Sequence, residues 1–302
     1  MFNSDQYQLL DFGQNQKLER FAGCSTSRTT PSAPGRKQQP QLWQQAVLRY
    51  DGQKKNERWS GSLPDPWQIN FGQTDICFEL RTAPTGQVGI FPEQAVNWDW
   101  ILNSPLNLSG CKALNLFAYT GGSTLALASR GVSVTHVDAA PSVVKWARRN
   151  AELSKLDKHP IRWIVEDATQ FVAREIKRGN QYDIIVADPP SFGRGPKGQT
   201  WKIQQDLPSL MFELNDLLSD QASMLIFSSH TPGFEQRQWR KLVGETFSLP
   251  TGNSEAFQLT LETPAATALP SGHCFRWQRS ACLLYTSPSP RDATLSRMPS
   301  SA

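Results

Sequence analysis

Residues that could bind a nucleoside follow apolar segments at three places in the chain. Residues 115–122 (NLFAYTGG) end in two glycines, which permit a tight turn and let the backbone come close to a ligand. Asp138 follows the next apolar segment, and a carboxylate there can accept hydrogen bonds from both hydroxyls of a ribose. Asp167 follows the third, where an acidic side chain can accept from an adenine amino group while a neighbouring backbone N–H pairs with a ring nitrogen.

Taken singly, each feature also has a structural explanation, because paired glycines often form simple turns and either aspartate could be a helix N-cap. Their joint occurrence favours an adenosine-containing ligand. Phe117 and Tyr119 stand where a dinucleotide motif has early glycines, so the methionine portion of S-adenosylmethionine suits this turn better than a pyrophosphate. The predicted cofactor contacts are Asn115, Phe117, Ala118, Tyr119, Thr120, Gly121, Gly122, Asp138, Ala139, Asp167, Ala168 and Asp188.

A fourth group, residues 188–192 (DPPSF), could hold the group that receives the methyl. Each proline fixes its own backbone angle and keeps the preceding residue extended, so the Asp188 side chain and the nearby carbonyls face a fixed direction. Such acceptors can hold a planar group that bears N–H, while Phe192 offers a face for stacking. A rigid structural turn is the alternative. The predicted catalytic residues are Asp188, Pro189, Pro190 and Phe192.

The segments that position these residues alternate between β-branched apolar runs and helical patterns. The predicted strands are 113–119, 132–138, 161–167, 182–188, 224–228, 257–261 and 273–278, and the predicted helices include 123–129, 141–156 and 234–247. Further helices are marked by Phe171, Val172 and Ile176, and by Leu207, Leu210, Leu214, Leu217 and Leu218. This alternation is typical of an α/β fold with a parallel sheet, which binds ligands at the carboxyl ends of its strands.

The first 110 residues predict a small β-rich module. Strands are expected at 7–12, 17–21, 68–71, 76–81 and 88–91, with a loop at 29–39. The predicted organisation is a β-rich module at 1–60, a hairpin and connecting segment at 61–110, a catalytic domain at 111–281 and a tail at 282–302. The tail is rich in Ser and Pro and resembles translated sequencing-adapter material, with a native disordered tail as the alternative.

These motifs together resemble the class I S-adenosylmethionine-dependent methyltransferases, and among them the ribosomal RNA enzymes that methylate cytosine C5 or guanine N7 of the large-subunit RNA. The matching pieces are residues 115–122, Val137-Asp138, residues 166–168, residues 188–192, and residues 89–94 (GIFPEQ) followed by Asn97. The resemblance covers roughly residues 86–233. It implies a Rossmann-like methyltransferase fold, with a mostly parallel seven-stranded sheet and helices on both faces, preceded by a small β-rich module.

One departure from this family concerns the acceptor. Cytosine-C5 members attack the ring with a cysteine thiolate after the fifth strand, whereas residues 227–232 here read FSSHTP. A serine hydroxyl is too weakly acidic to replace a thiolate without a dedicated base. The expected reaction is therefore direct transfer to a base nitrogen of ribosomal RNA, in which His230 accepts a proton, contacts the base or is merely structural. Transfer to a protein or small molecule is the alternative, and a non-catalytic RNA-binding protein is the second.

Composition excludes several other classes. The chain has 302 residues, a formal charge of +4, no run of 18 apolar residues and no recognisable targeting segment, so we expect a cytoplasmic protein without membrane contact. Its five cysteines form no Cys-x-x-Cys pair and its four histidines lack metal-ligand spacing, so no metal is expected. Candidate phosphate contacts are Arg28, Arg36 and Lys37, and Arg194, Lys197 and Lys202 after the DPPSF segment.

Overall fold

A computed structural model describes residues 1–52, 59–195 and 198–280 of the chain. Its N-terminal part is a five-stranded sheet in the order β1-β2-β3-β4-β5. The elements are β1 (Tyr7–Gly13), β2 (Gln16–Phe21), β3 (Cys24–Thr29), a short helix α1 (Pro40–Gln44), β4 (Leu48–Tyr50) and β5 (Trp59–Gly61). The predicted strands at 7–12 and 17–21 are confirmed as β1 and β2, which pair antiparallel around Gln14 and Asn15.

A small hairpin and a helix connect this sheet to the next one. They are β6 (Gln68–Asn70), β7 (Cys77–Glu79), a 3-10 turn (Pro92–Gln94) and α2 (Ala95–Leu102). The predicted strand at 88–91 is wrong. Gly89 has a φ of +96° and a Cβ on it would lie 2.0 Å from the Trp146 ring, so the backbone leaves the extended path to pack against that indole. Its carbonyl accepts a hydrogen bond from the Thr120 hydroxyl instead of a strand neighbour.

The larger sheet has seven strands in the order β10-β9-β8-β11-β14-β16-β15. In chain order the strands are β8 (Lys112–Leu116), β9 (Ser133–Asp138), β10 (Ile161–Val165), β11 (Ile184–Ala187), the separate hairpin β12 (Phe192–Arg194) and β13 (Thr200–Lys202), β14 (Met224–Ser229), β15 (Gly252–Glu262) and β16 (Ala268–Arg279). Strands β8 to β11 and β14 pair in parallel, and β16 runs antiparallel to both of its neighbours. The predicted mostly parallel sheet is confirmed.

Helices cover both faces of this sheet. They are α3 (Gly122–Ala128), α4 (Pro141–Leu153), α5 (Ala168–Lys177), α6 (Ile203–Leu217) and α7 (Gln236–Thr246). Alternate residues of a strand point to opposite faces, so Ile184 packs with the core of α2, α3 and α4 while Ile185 packs with the core of α5, α6 and α7. Helix α4 ends earlier than predicted because Lys155 adopts a left-handed conformation, with a φ of +58°.

The first sheet shares a hydrophobic core with the α2–α4 face of the second. Phe21 and Leu48 are fully buried in the same cluster as Trp98. The Trp98 ring lies 5.5 Å from the Phe71 ring and 5.3 Å from the Phe78 ring, so α2 and the connecting hairpin form the contact between the two sheets. The loop that enters α2 therefore reaches the edge of the large sheet in a fixed position.

Candidate active site

A cavity of about 580 Å³ opens at the carboxyl ends of β8, β9, β10 and β11. The predicted residues that line it are Phe117, Tyr119, Asp138, Ala139, Asp167, Ala168, Asp188, Pro189, Pro190 and Phe192. A smaller cavity of about 50 Å³ adjoins it through shared Phe117, Tyr119 and Asp188, and is lined by the predicted residues Asn115, Ala118 and Gly122. The topology thus brings all three aspartates to one cleft, as ligand sites in open parallel sheets require.

The turn after β8 is held in an unusual backbone conformation. Phe117 and Tyr119 both lie in the left-handed region, with φ of +53° and +48°. For a residue with a side chain this conformation costs about 1–2 kcal/mol. It directs the Tyr119 N–H to Asp138 Oδ2 at 2.9 Å, while the intervening Ala118 N–H donates to the Val137 carbonyl at 3.1 Å. The strained turn thereby fixes the carboxylate at the end of the neighbouring strand.

The Asp138 carboxylate accepts two backbone hydrogen bonds. Oδ2 accepts from Tyr119 and Oδ1 accepts from the Ala140 N–H at 2.9 Å. Each carboxylate oxygen can still accept from another donor, so both ribose hydroxyls can bind. The N-cap of α4 is Ala140 and no side chain caps that helix, so the capping alternative for Asp138 is wrong. Burial raises the pKa of Asp138, and the backbone N–H groups only partly oppose this effect.

Asp167 does cap a helix. Its Oδ1 accepts from the Thr169 N–H at 3.1 Å, the Thr169 hydroxyl at 2.6 Å and the Gln170 N–H at 3.1 Å at the start of α5. Its Oδ2 lies on the side of Gly195, another residue of the cavity wall, and accepts no hydrogen bond from the residues that the structure describes. The capping role and the adenine role were alternatives in the sequence, but one carboxylate can perform both because its two oxygens face different partners.

Asp188 is fixed by residues that lie far away in the sequence. Its Oδ1 accepts from the Ser228 hydroxyl at 2.8 Å, and its Oδ2 accepts from the Gln94 amide at 3.1 Å. The same amide donates to Ser228 Oγ at 3.0 Å, and Gln94 Oε1 accepts from Asn97 Nδ2 at 2.7 Å. Buried polar networks of this kind hold a carboxylate in one orientation. Sequence reasoning did not find Ser228, since no local pattern marks a partner 134 residues from Gln94.

The other residues of the glycine turn mainly shape it. A Cβ on Gly122 would lie 2.2 Å from the Trp98 ring, so this glycine lets α2 pack closely against α3. Gly121 is the N-cap of α3, with a φ of +92°. Thr120 donates to the Gly89 carbonyl at 2.6 Å, and Asn115 Nδ2 donates to Thr124 Oγ1 at 2.9 Å. Direct cofactor contact by these residues stays a prediction.

The hairpin β12–β13 was missed by the sequence analysis. Its three-residue strands contain Gly and basic residues and are separated by a segment typical of a loop. Trp201 on β13 is buried, its ring lies 5.0 Å from the Phe117 ring, and its Nε1 donates to the Pro190 carbonyl at 2.7 Å. Trp201 thus holds the DPPSF segment against the turn after β8, while Phe192 stays exposed.

The structure separates the basic candidates into different groups. The prediction for Arg28 as a phosphate contact is wrong, because the side chain is buried and its Nε donates to Glu19 Oε2 at 2.8 Å. The Lys37 ammonium lies 3.7 Å from the Trp43 ring centre and donates to Gln16 Oε1 at 2.6 Å. The candidates exposed to solvent are Arg36, Arg194 and Lys202, and Lys197 lies outside the described residues.

The charges of the large cavity suit a cationic adenosine compound. Four carboxylates line it among the residues that the structure describes, those of Asp138, Glu166, Asp167 and Asp188, of which Glu166 is paired with Arg174; one guanidinium and one imidazole lie opposite them. This excess of negative charge disfavours a pyrophosphate and favours a sulfonium. Apolar side chains including Phe117, Val137, Ala168 and Trp201 complete the wall and can cover a purine. The residues present therefore fit S-adenosylmethionine, and fold and site together define a Rossmann-like methyltransferase.

The chain belongs to a family of S-adenosylmethionine-dependent methyltransferases, which matches residues 9–233. The crystal structure of such a methyltransferase from Agrobacterium tumefaciens is 32% identical, has a TM-score of 0.83 and matches over 92% of both chains. Ribosomal RNA large subunit methyltransferase K/L of Alteromonas mediterranea is 35% identical over 128 residues, 42% of this chain and 18% of that protein. The protein of the same name from Pseudoalteromonas atlantica is 42% identical over 100 residues, 32% of this chain and 14% of that protein.

The chain thus spans less than a fifth of the length of these two curated relatives. The predicted enzyme class and cofactor are confirmed by the family match. Within residues 1–52, 59–195 and 198–280, no helix is long and apolar enough to cross a membrane. Nor do those residues contain a cluster of three or more His, Cys, Asp or Glu side chains that could hold a metal ion.

Cofactor affinity should depend on the ionisation of Asp138. Because burial raises its pKa above the ordinary 3.8, the carboxylate takes up a proton at a higher pH than an exposed aspartate and then accepts ribose hydroxyls poorly. We expect binding of S-adenosylhomocysteine to weaken as the pH falls through this raised pKa. The effect on the ligand-free protein has the opposite sign, since a raised pKa means that protonation stabilises the folded state.

Calorimetric titration between about pH 4 and about pH 8 measures this dependence. The control is Asp167→Asn, which keeps a good N-cap for α5 but removes the charge. The pH range over which its affinity for S-adenosylhomocysteine decreases should coincide with that of the unaltered protein. The assignment of this pH dependence to Asp138 would be contradicted by an affinity that does not change with pH. It would also be contradicted if the loss of affinity at acid pH disappeared in Asp167→Asn.

Proposed function

We propose that this enzyme transfers a methyl group from S-adenosylmethionine to a base nitrogen of ribosomal RNA, directly and without a covalent enzyme intermediate. The observation that carries the proposal is the position of residues 188–192, which border the cofactor cavity and end in an exposed aromatic ring. The names of the relatives support RNA as the acceptor. The activity would then take place in the cytoplasm, where ribosomal RNA is found.

The DPPSF segment offers acceptors of different availability. The Pro190 carbonyl is occupied by the Trp201 indole N–H, whereas the Pro189 carbonyl accepts no hydrogen bond from the part of the chain that the structure describes. An N–H of a base can therefore donate to Pro189 beside Asp188. The cofactor supplies a methyl group activated by its sulfonium. Holding the nitrogen in line with that methyl contributes about 7–11 kcal/mol in favourable cases, which leaves little for acid–base groups to add.

Thiolate chemistry receives no support from the cysteines. Burial raises the pKa of all four cysteines in the described ranges, that of Cys274 to about 12, and none of them lines the large cavity. Cys274 pairs with Ser228 in the sheet, and its thiol donates to Asn97 Oδ1 at 3.4 Å. A buried thiol with a raised pKa is a poor nucleophile, so direct transfer is the simpler mechanism.

The solvent-exposed face of the β12–β13 hairpin suits RNA. Phe192 pairs in register with Lys202, and Arg194 pairs with Thr200, so these four side chains share one face of the hairpin. All four residues are exposed. An aromatic ring can stack on a base, and the flanking cations can contact phosphates. The same face adjoins the DPPSF segment, so a base bound at Pro189 would have its neighbours within reach of the hairpin.

The acceptor class can be tested with tritiated cofactor and an equal mixture of unmodified ribosomal RNA transcribed in vitro and total protein. We expect label in RNA, at a nitrogen of a base after nucleoside digestion, with a strongly reduced rate in Asp188→Ala and none in a blank without enzyme. Label that appears only in protein would overturn the RNA proposal. Label at C5 of a pyrimidine would overturn direct transfer to nitrogen.

Replacing Phe192 by alanine should weaken RNA methylation without affecting cofactor binding. Loss of a stacked base costs about 1–3 kcal/mol, so kcat/KM for RNA should fall by about 5- to 150-fold. The matched control is Phe212→Ala on α6, because Phe212 is 56% exposed and Phe192 is 54% exposed. Steady-state rates at limiting RNA measure the effect. Equal rates for the two variants would show that Phe192 does not contact the acceptor.

A further inference from the structure

A turn that precedes the large sheet also reaches the cofactor cavity. Thr85 and Gln87 line the cavity together with Asp138 and His230. The Thr85 hydroxyl donates to the Gln87 amide oxygen, which leaves the amide N–H groups of Gln87 as donors. The turn is closed by its own backbone, since the Ala83 N–H donates to the Gln87 carbonyl at 2.9 Å. Neither side chain belongs to a motif in the sequence.

Three strands of the first sheet hold this turn through its carbonyl groups. Each carbonyl accepts from one buried or half-buried side chain of that sheet: Ala83 from Trp59 Nε1 at 2.7 Å, Pro84 from Tyr50 Oη at 3.2 Å and Gly86 from Arg28 Nη1 at 3.2 Å. The donors lie on β5, β4 and β3 respectively. The first sheet therefore fixes the backbone of the turn at three successive points.

Sterics and charge leave the turn little freedom. Gly86 has a φ of +90°, and a Cβ on it would lie 2.6 Å from the Tyr50 ring. Arg28 is itself held by Glu19, whose side chain is fully buried. The buried ion pair thus orients the guanidinium toward the Gly86 carbonyl. Polar side chains on so rigid a turn are preorganised to bind a ligand.

We propose that Thr85 and Gln87 form a subsite for the hydrogen-bonding edge of the RNA base at the active site, with Arg28, Tyr50 and Trp59 as positioning residues. The inference rests on the proposed function and deepens it. The cavity's carboxylates already provide hydrogen-bond acceptors for the adenosine and negative charge near the sulfonium of the cofactor. A neutral amide beside a hydroxyl offers donors and acceptors together, which is how side chains read the edges of bases.

The double variant Thr85→Val, Gln87→Ala tests the subsite. We expect kcat/KM for unmodified ribosomal RNA to fall about 10-fold or more, as for a lost two-point contact to a base, while the Kd of S-adenosylhomocysteine stays within about twofold. The control is Gln221→Ala, since Gln221 is exposed and precedes β14, at the opposite edge of the sheet from the cavity. It should match the unaltered enzyme in both measurements.

Trp59→Phe tests the positioning role, because it removes the N–H that donates to the Ala83 carbonyl and keeps an aromatic ring against Tyr50. We expect a smaller rise in KM for RNA, by about 2- to 10-fold, with kcat and cofactor Kd preserved. A purely structural role would instead lower thermal stability and leave KM unchanged.

The results separate this inference from the proposed function. If the unaltered enzyme methylates RNA and the double variant does so equally well, the subsite is overturned and the proposed function stands. A parallel loss of cofactor affinity would also overturn it, because the turn would then contact the cofactor. If the unaltered enzyme transfers no methyl to RNA, the proposed function fails and the subsite fails with it.

Discussion

Replacing Asp188 by alanine should lower the rate of methyl transfer by about 100-fold or more. This carboxylate lines both the large and the small cavity, and in the proposed mechanism it helps to hold the acceptor nitrogen beside the cofactor. It also binds Ser228 and Gln94, whose donors would lose their common acceptor. A misplacement of about 1 Å between reacting groups can by itself cost about 100-fold in rate. Single-turnover transfer of tritiated methyl at saturating RNA measures the loss.

Two further variants define the origin of that effect. Asp188→Asn keeps the shape of the side chain but places an amide N–H₂ against the hydrogen-bond donor of Ser228 or Gln94. We therefore expect a rate between those of the unaltered enzyme and Asp188→Ala. Asp216→Asn is the matched control, because Asp216 lies exposed on α6 and should not matter. If Asp188→Ala retained a rate within about threefold of the unaltered enzyme, Asp188 could not align the reactants.

Replacing Asp138 by alanine should abolish measurable cofactor binding. We expect micromolar affinity for S-adenosylmethionine or S-adenosylhomocysteine in the unaltered protein. Two hydrogen bonds from ribose hydroxyls to a carboxylate contribute about 1.5–3 kcal/mol each, so their loss corresponds to about 150- to 20,000-fold in Kd. Isothermal titration calorimetry measures the change, at a pH above the range in which the affinity of the unaltered protein still varies with pH.

Folding must be followed in parallel, because Asp138 also accepts the N–H groups of Tyr119 and Ala140. Thermal melting of the variant distinguishes a lost ligand contact from a collapsed turn. Asp157→Ala, at an exposed position after α4, is the control and should bind normally. Unchanged binding by a folded Asp138→Ala protein would contradict the ribose assignment.

Local chemistry determined much of the site. The carboxyl ends of parallel strands meet at one edge, so a chain that places Asp138, Asp167 and Asp188 after successive apolar runs must bring them together once a parallel sheet forms. The periodicity that predicts strands and helices is also local, and the larger sheet agrees with it. Residues 88–91 show the limit of local patterns. Their apolar pattern resembles a strand, but Gly89 packs against the Trp146 ring and the backbone is not extended there.

The sequence by itself therefore determined the parallel α/β sheet, the cofactor and the order of the acidic strand ends, since these depend on neighbouring residues and on chain direction, while the resemblance to a known family implied the methyltransferase fold. Only the tertiary structure decided which groups surround the acceptor. Gln94 meets Asp188 across 94 residues, and Arg28 is buried by Glu19 on the adjacent strand instead of facing RNA. Contacts of this kind depend on how the two sheets pack, and no periodicity along the chain encodes that packing.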